Sequence, residues 1–127
     1  MNILDSSAWL EYIADSPLAD IFEPVVLNTD ELIVPSITIC EVAKKLFLGN
    51  DEDYVYSVAV RMKRGKVINL DSELSVFAAK VGKDYHLPMA DSIIYATALT
   101  EQATVWTTDK HFENLPQVRY FPKWVMS

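Results

Sequence analysis

The sequence predicts an α/β protein in which a mostly parallel sheet is covered by helices on both faces. Short runs of β-branched residues alternate along the chain with longer stretches in which apolar residues recur at helical spacing. The clearest example is a largely apolar helical pattern that opens with Pro88 and leads directly into the short run Thr104–Thr107. A buried strand that follows a helix this closely is typical of an α/β unit.

The remaining elements follow from the same periodicities. Residues 2–4 form a first strand, which leads into a helix at residues 8–13. Ser6, Ser7 or Asp5 can cap that helix. Further strands are predicted at residues 32–34, 67–70 and 118–121, the last at a sheet edge because prolines bracket it. Further helices are predicted at residues 17–25, 37–48, 54–62 and 73–81.

Length and composition indicate one ordinary domain. The chain has 127 residues, of which 50% are hydrophobic and 23% charged, so we expect a single domain spanning residues 1–127. Cys40 is the only cysteine, and with only His86 and His111 beside it a structural zinc site is not expected. Because no apolar run approaches the roughly 20 residues that cross a bilayer, and no basic-then-apolar leader is present, we expect a cytoplasmic protein without membrane contact.

Four acidic residues are predicted at the same end of the sheet. Asp5 follows the first strand and Asp109 follows a later one. Glu41 lies just past the first turn of the helix after the second strand, and Asp91 lies in the first turn of another helix. Because open α/β folds place their sites at the carboxyl ends of parallel strands, these side chains are expected to converge. Such a cluster repels itself unless cations hold it, and oxygen ligands favour Mg²⁺ or Mn²⁺.

The chemistry that follows from such a cluster is phosphodiester hydrolysis, in which bound ions activate a water and stabilise the leaving oxygen. Structural alternatives remain for each acid. Asp5 can be a helix cap or a solvated acid, and Glu41 can be an exposed helix residue paired with Lys44 or Lys45. The sequence does not decide between these alternatives and a catalytic role.

The charge distribution bears on nucleic-acid binding. The net charge of −7 opposes simple binding to a phosphate backbone, which normally needs surplus lysine and arginine. Bound cations invert the local field, however, and a local basic face remains possible. Six of the eleven basic residues lie between positions 44 and 66, namely Lys44, Lys45, Arg61, Lys63, Arg64 and Lys66.

Four segments carry a resemblance to a known family. The stretches NILDSSAWLEYI, VPSITICEVAKKL, LPMADSIIYATAL and TVWTTDKHFENLP, in this order and spacing, resemble PIN-domain ribonucleases, and above all the VapC toxins of toxin–antitoxin pairs. Residues 50–87 match in length and helix pattern more than in motif. The resemblance implies a three-layer α/β/α sandwich with a central, mostly parallel sheet.

The resemblance also implies roles for individual residues. Those that match the family's acidic Mg²⁺- or Mn²⁺-binding quartet are Asp5, Glu41, Asp91 and Asp109. Thr107 matches the hydroxyl residue two positions before the last acid and completes the expected catalytic set. Thr108 stands where the family often has a basic residue, so the chain departs from the family pattern at this position, and the sequence does not decide whether Thr108 contacts phosphate.

Family membership implies partners as well. The chain would be an endoribonuclease toxin of a type II pair that acts on RNA, forms a homodimer and is held inactive by a VapB-like antitoxin lying across its site. Trp9, Tyr54 and Tyr56 are candidates for such contacts, although aromatic residues at helical spacing are expected in the core. Trp106 and Trp124 are expected to pack in the core or at its edge.

Other functions compete with this interpretation. A PIN-fold binding module would keep the fold without cleaving RNA, and an RNA-processing nuclease would act without an antitoxin. A phospho-acceptor receiver domain also gathers carboxylates at strand ends, but it needs adjacent acids after the first strand and a lysine after the last. This chain has Asp5-Ser6 at the first place and no suitable lysine at the second, so a receiver domain is not expected.

Overall fold

The computed structural model describes residues 1–123. In this part of the chain, short strands alternate with longer helices. The strands are β1 (Asn2–Leu4), β2 (Ile33–Pro35), β3 (Lys66–Ile68), β4 (Thr104–Thr107) and β5 (Val118–Tyr120). The helices are α1 (Ser6–Ile13), α2 (Ala19–Leu27), α3 (Ser36–Phe47), α4 (Glu52–Met62), α5 (Ser72–Tyr85) and α6 (Met89–Glu101). The 3₁₀ segments are Thr29–Glu31 and Lys110–Phe112.

Every strand pair in residues 1–123 is parallel, as the sequence predicts. β4 lies between β1 and β5, and β2 pairs with β3. A parallel bridge between Asn2 and Leu32 joins the two groups, which gives the order β3-β2-β1-β4-β5 across the sheet. β5 therefore lies at an edge, in agreement with the prediction from its flanking prolines.

Side chains on the strands alternate between two hydrophobic cores, one on each face of the sheet. Ile3 and Ile33 belong to a core that α5 and α6 cover. Their neighbours along the chain, Leu4 and Val34, belong to a second core that α1, α2 and α4 cover. The fold is therefore a three-layer α/β/α sandwich, and this prediction is confirmed.

Several helices, α2 and α4 among them, begin one or two residues away from the predicted start. α2 begins at Ala19, two residues after Pro17, because the Ser16 hydroxyl first caps a turn by accepting from the Leu18 amide at 3.2 Å. α4 begins at Glu52, two residues before the predicted start, because Asp51 is its N-cap. At α4 the capping side chain of Asp51, rather than the first apolar residue, sets the boundary, whereas the N-cap of α2, Leu18, makes no side-chain capping bond.

Other boundaries differ by a few residues. α3 starts directly at Ser36 after Pro35 and ends at Phe47. β3 starts at Lys66, one residue earlier than predicted, and ends at Ile68 rather than residue 70. α5 runs past residue 81 to Tyr85 and ends at a left-handed residue, His86. Contacts with α6 extend α5 beyond the range that its own apolar stripe predicts.

α6 is buried over most of its length, as predicted. Residues 91–98 are all buried, and Pro88 is the N-cap rather than the first helical residue. α5 approaches this helix closely, because a Cβ atom on Gly82 would lie only 2.5 Å from the Ser92 hydroxyl oxygen. This contact fixes the first turn of α6, which carries Asp91.

The aromatic residues divide between the core and the surface. Trp9 is buried, whereas Tyr54 and Tyr56 are 40% and 64% exposed, so the expectation of a core position is wrong for these two tyrosines. The buried face of α4 is formed by Val55, Val58 and Met62, at the spacing of one helical stripe.

Trp106 packs at the edge of the core, as expected, with its ring stacked on Phe121 and under the Arg119 guanidinium. Trp124 lies outside the described residues. None of the helices in residues 1–123 is long and apolar enough to cross a membrane.

Candidate active site

Asp5 lies at the carboxyl end of β1 and is 1% exposed. Its Oδ1 atom accepts hydrogen bonds from the Ala8 amide at 3.0 Å and from the Ser7 hydroxyl at 2.7 Å. Its Oδ2 atom accepts a hydrogen bond from the Thr107 hydroxyl at 2.6 Å. Asp5 is therefore the N-cap of α1, in place of Ser6 or Ser7, and its second oxygen is directed toward β4.

Two hydroxyl groups connect the end of β1 with the end of β4. The Thr107 hydroxyl accepts a hydrogen bond from the Asp109 amide at 2.8 Å while it donates to Asp5. The Ser7 hydroxyl accepts a hydrogen bond from the Thr108 amide at 3.0 Å. Because Thr107 is fully buried, its hydroxyl holds the carboxylate of Asp5 and the backbone at Asp109 in a fixed relation.

Burial raises the pKa of Asp5 from its ordinary value of 3.8 to about 6. Hydrogen bonds from Thr107, Ser7 and the Ala8 amide lower this pKa, but they do not offset the desolvation of the charged form. The charge of Asp109 raises the pKa further. The ionised form of Asp5 is therefore disfavoured until a positive charge is supplied nearby.

A second group of side chains lies where α6 begins and β4 ends. His111 Nδ1 is 2.9 Å from Asp91 Oδ2 and 3.1 Å from Asp109 Oδ1. Asp109 Oδ1 also accepts a hydrogen bond from the backbone amide of His111 at 2.9 Å, which caps the 3₁₀ segment. One ligand atom from each of these three residues lies within 4.8 Å of the others, so they can hold a single metal ion.

The electrostatics of this group also favour a cation. Burial, together with the charges of Asp109 and Glu41, raises the pKa of Asp91 to about 6, although the His111 hydrogen bond opposes this shift. Burial lowers the pKa of His111, but the charge of Asp109 and the bond to Asp91 outweigh it and raise the pKa above its ordinary value. Negative charge contributes to both shifts, although desolvation is the larger cause for Asp91.

Glu41 approaches this cluster from α3. Its Oε1 atom is buried and has no hydrogen-bond partner within residues 1–123. In the same part of the chain it forms no ion pair with Lys44 or Lys45, so the predicted alternative of an exposed, paired helix acid is wrong. Since its charge raises the pKa of Asp91, Glu41 faces the site.

The structure therefore brings the predicted acids together, although not equally closely. Asp109 acts electrostatically on both Asp5 and Asp91, and Glu41 acts on Asp91. Asp5 and Glu41 lie outside the compact group of Asp91, Asp109 and His111. A buried carboxylate oxygen without a partner and a set of mainly oxygen donors fit a hard divalent cation.

Two site residues were missed at the sequence level. Ser7 was considered only as a helix cap, and His111 only as a partner of Cys40 in a zinc site. The available signal was the D-x-H spacing of Asp109 and His111 directly after a buried strand, since that spacing places the imidazole beside the carboxylate. Cys40 is exposed and free.

Comparison with known proteins identifies the family of the chain. The family model of the PIN domain matches residues 3–118. The chain belongs to the PIN domain family. PIN domains are generally nucleases that use divalent metal ions. No curated protein matches the chain by sequence.

This PIN domain is similar in fold to several solved structures. A toxin–antitoxin complex from Klebsiella pneumoniae has a TM-score of 0.79 at 18% identity, covering 94% of this chain and 96% of that one. VapBC2 from Rickettsia felis, bound to a promoter DNA fragment, has a TM-score of 0.71 at 15% identity, covering 94% and 96%. FitAcB from Neisseria gonorrhoeae has a TM-score of 0.70 at 19% identity, covering 98% and 99%.

Proposed function

We propose that this PIN domain is a Mg²⁺- or Mn²⁺-dependent endoribonuclease and the toxin of a type II toxin–antitoxin pair. The observation that carries the proposal is the convergence of Asp5, Glu41, Asp91 and Asp109 at the carboxyl end of the sheet. The raised pKa values of Asp5 and Asp91 support it, because such shifts cluster at functional sites.

Asp91 and Asp109 are the residues that would hold the ion, and Asp5 and Glu41 would add negative charge to the same site. When bound there, a divalent cation would lower the pKa of an attacking water and stabilise the leaving oxygen of a phosphodiester. The protein itself holds the acidic side chains in fixed positions. The buried Thr107 hydroxyl donates a hydrogen bond to Asp5 and accepts one from the Asp109 amide. We therefore assign Thr107 a positioning role rather than contact with substrate.

A groove beside the acids supports binding of a phosphate backbone. It has a volume of about 390 Å³, and Ser6 and Glu41 line it together with Lys44 and Lys45 of α3. The lysines lie one turn beyond Glu41, so they place positive charge next to the acidic site. A strand of RNA lying along this groove would meet two cations before its phosphodiester reaches the carboxylates.

The antitoxin partner is proposed from a structural neighbour, because the similar structure from Klebsiella pneumoniae is a toxin–antitoxin complex. Exposed apolar side chains on α3 and α4 support a protein partner or a second copy of the chain. These side chains are Phe47, Leu48, Tyr54, Tyr56 and Val60.

The decisive experiment incubates the purified chain with single-stranded RNA and with DNA of the same sequence. We expect cleavage of RNA with Mg²⁺ or Mn²⁺, none after chelation, and none by Asp109→Asn. Cleavage that persists in Asp109→Asn would refute the assigned site. RNA binding without cleavage would favour a binding module instead.

A second experiment separates a toxin from an RNA-processing nuclease. Expression of the wild-type chain alone is expected to arrest growth, and co-expression of a small antitoxin encoded beside it is expected to restore growth. Asp109→Asn is the matched control and is expected to leave growth unaffected. Normal growth under expression of a cleavage-competent chain would contradict the toxin assignment.

A further inference from the structure

His111 is the one residue in the compact group that the family resemblance does not predict. It follows Asp109 by two positions, in the 3₁₀ segment after β4. Its Nδ1 atom lies between two carboxylates, 2.9 Å from Asp91 Oδ2 and 3.1 Å from Asp109 Oδ1. The ring therefore occupies a defined place in the site, although its side chain is 56% exposed.

These distances match those between neighbouring ligands of one metal ion. In an octahedral site with bonds of roughly 2.1 Å, adjacent ligand atoms lie about 3 Å apart. His111 Nδ1 thus lies at such a distance from both carboxylate oxygens, and one ligand atom from each of the three residues lies within 4.8 Å of the others. The hydrogen bond from the His111 amide to Asp109 Oδ1 holds the backbone of the segment beside that carboxylate.

The alternative interpretation of the His111 contacts is an internal ion pair, in which a protonated ring neutralises Asp91 and Asp109. That arrangement leaves the buried Glu41 Oε1 atom without a partner in residues 1–123. It also sets one positive charge against four carboxylates. A divalent cation with a neutral imidazole ligand balances more of this charge, so the charge balance favours a ligand over an ion pair.

We propose that His111 Nδ1 is a ligand of the divalent ion held by Asp91 and Asp109, and that it shifts the site's preference from Mg²⁺ toward Mn²⁺. This inference rests on the metal site of the proposed function and goes beyond its four acids. Imidazole nitrogen suits transition metals, whereas Mg²⁺ prefers oxygen ligands and water. His111 therefore sets which ion this chain uses.

The test measures metal binding without RNA. Mn²⁺ bound to the wild-type chain is examined by pulsed electron paramagnetic resonance, which detects a directly coordinated ¹⁴N nucleus. We expect a ¹⁴N coupling in the wild type, none in His111→Gln, and the same coupling in His86→Asn, the control at an exposed histidine outside the site. In His111→Gln, calorimetry is expected to show Mn²⁺ affinity weakened about 10-fold or more, with a smaller change for Mg²⁺.

The possible failures are distinguishable. A wild-type chain that binds Mn²⁺ and cleaves RNA but shows no ¹⁴N coupling would overturn the His111 assignment and leave the nuclease proposal standing. Tighter Mn²⁺ binding by His111→Gln would also overturn it, because the ring would then be an ion pair that the metal must displace. A wild-type chain that binds no divalent ion would overturn both proposals. The wild-type spectrum decides the ligand question even if the variant folds poorly.

Discussion

At the scale of single residues, the buried Thr107 hydroxyl lowers the pKa of Asp5. It donates to Asp5 Oδ2 at 2.6 Å and accepts from the Asp109 amide at 2.8 Å. Its hydrogen bond is the strongest of the influences that lower the pKa of Asp5. Removing this hydroxyl therefore changes both the stability of the strand ends and the ionisation of the site.

We predict that Thr107→Val destabilises the chain by about 1–3 kcal/mol, because two buried groups lose their partner while the side-chain shape is kept. The pKa of Asp5 should rise above 6, and the acidic limb of the pH–rate profile for RNA cleavage should move to higher pH. Denaturant unfolding and the pH profile measure the two effects. Thr107→Ser, which keeps the hydroxyl, should restore the profile, and an unshifted profile in Thr107→Val would contradict the positioning role.

Asp91 provides a second prediction at this scale. Burial and the neighbouring acids raise its pKa to about 6, so its charge destabilises the metal-free site. We expect Asp91→Asn to lower RNA cleavage by a factor on the order of 100 or more, with little loss of stability. Relief of repulsion should offset the weaker interaction with the start of α6.

The matched control is Asp20→Asn, which removes an exposed acid from the first turn of α2. It should cost a few tenths of a kcal/mol in stability and leave cleavage unchanged. Melting temperatures and cleavage rates without and with metal compare the two variants. A large fall in melting temperature for metal-free Asp91→Asn would mean that Asp91 is structural.

At the scale of elements, the contact of α5 with α6 positions the acid at the start of α6. A Cβ on Gly82 would lie 2.5 Å from the Ser92 hydroxyl oxygen. The single O–H of Ser92 lies within hydrogen-bond distance of the Pro88 carbonyl at 2.8 Å and of the Leu87 carbonyl at 3.1 Å. Ser92 follows Asp91 directly. A side chain at position 82 would therefore displace the first turn of α6, which orients the Asp91 carboxylate.

We predict that Gly82→Ala destabilises the chain by about 1–3 kcal/mol through overpacking, although alanine favours helices over glycine by about 1 kcal/mol. Cleavage should also fall, because Asp91 moves. Gly82→Ala in a Ser92→Ala background should lower the free energy of unfolding much less, because the clashing oxygen is absent. Equal costs in both backgrounds, measured by denaturant unfolding, would exclude the contact as the cause.

The charges on α3 give a further prediction for an element. Lys44 and Lys45 line the groove next to Glu41. Changing both to Gln should weaken binding of single-stranded RNA and reduce the slope of log affinity against log salt by about 1.4. Fluorescence anisotropy over a salt series measures this slope. The control changes Lys80 and Lys83 on α5 to Gln, and an equal loss in that variant would show that only net charge matters.

At the scale of the whole molecule, the acidic cluster makes stability depend on pH. Asp5 and Asp91 have an ordinary pKa of 3.8 but titrate at about 6 in the folded chain. The folded state therefore binds protons more tightly, and the stability from these groups falls as pH rises from about 4 to 6. His111, with its raised pKa, contributes stability that is complete below its ordinary 6.5 and is lost as pH rises through its folded value.

We predict that the free energy of unfolding of the metal-free chain falls as pH rises through this window, with about 3 kcal/mol of the change due to Asp5. Saturating Mg²⁺ or Mn²⁺ should flatten the dependence, because a cation stabilises the ionised carboxylates. Denaturant unfolding at several pH values tests this. Asp5→Asn without metal should show a smaller change, and an identical pH dependence in that variant would contradict the prediction.

The layered fold, and the end of the sheet where the acids gather, can be predicted from the order of residues alone. Periodicity distinguishes strands such as Thr104–Thr107 from helices, and the parallel order of the first four strands follows because helices connect each of them to the next. The positions of Asp5 and Asp109 after their strands then follow from topology alone. These features depend on neighbours in the chain, which a sequence displays directly.

The contacts between side chains depend on the three-dimensional fold. The bond from Thr107 to Asp5 joins residues 102 positions apart, and His111 meets Asp91 across 20 positions. The exposure of Tyr54 and Tyr56 likewise depends on which stripe of α4 faces the sheet. Hydrogen bonds, burial and the pKa shifts that they cause arise from distances in space, and the order of residues along the chain does not contain those distances.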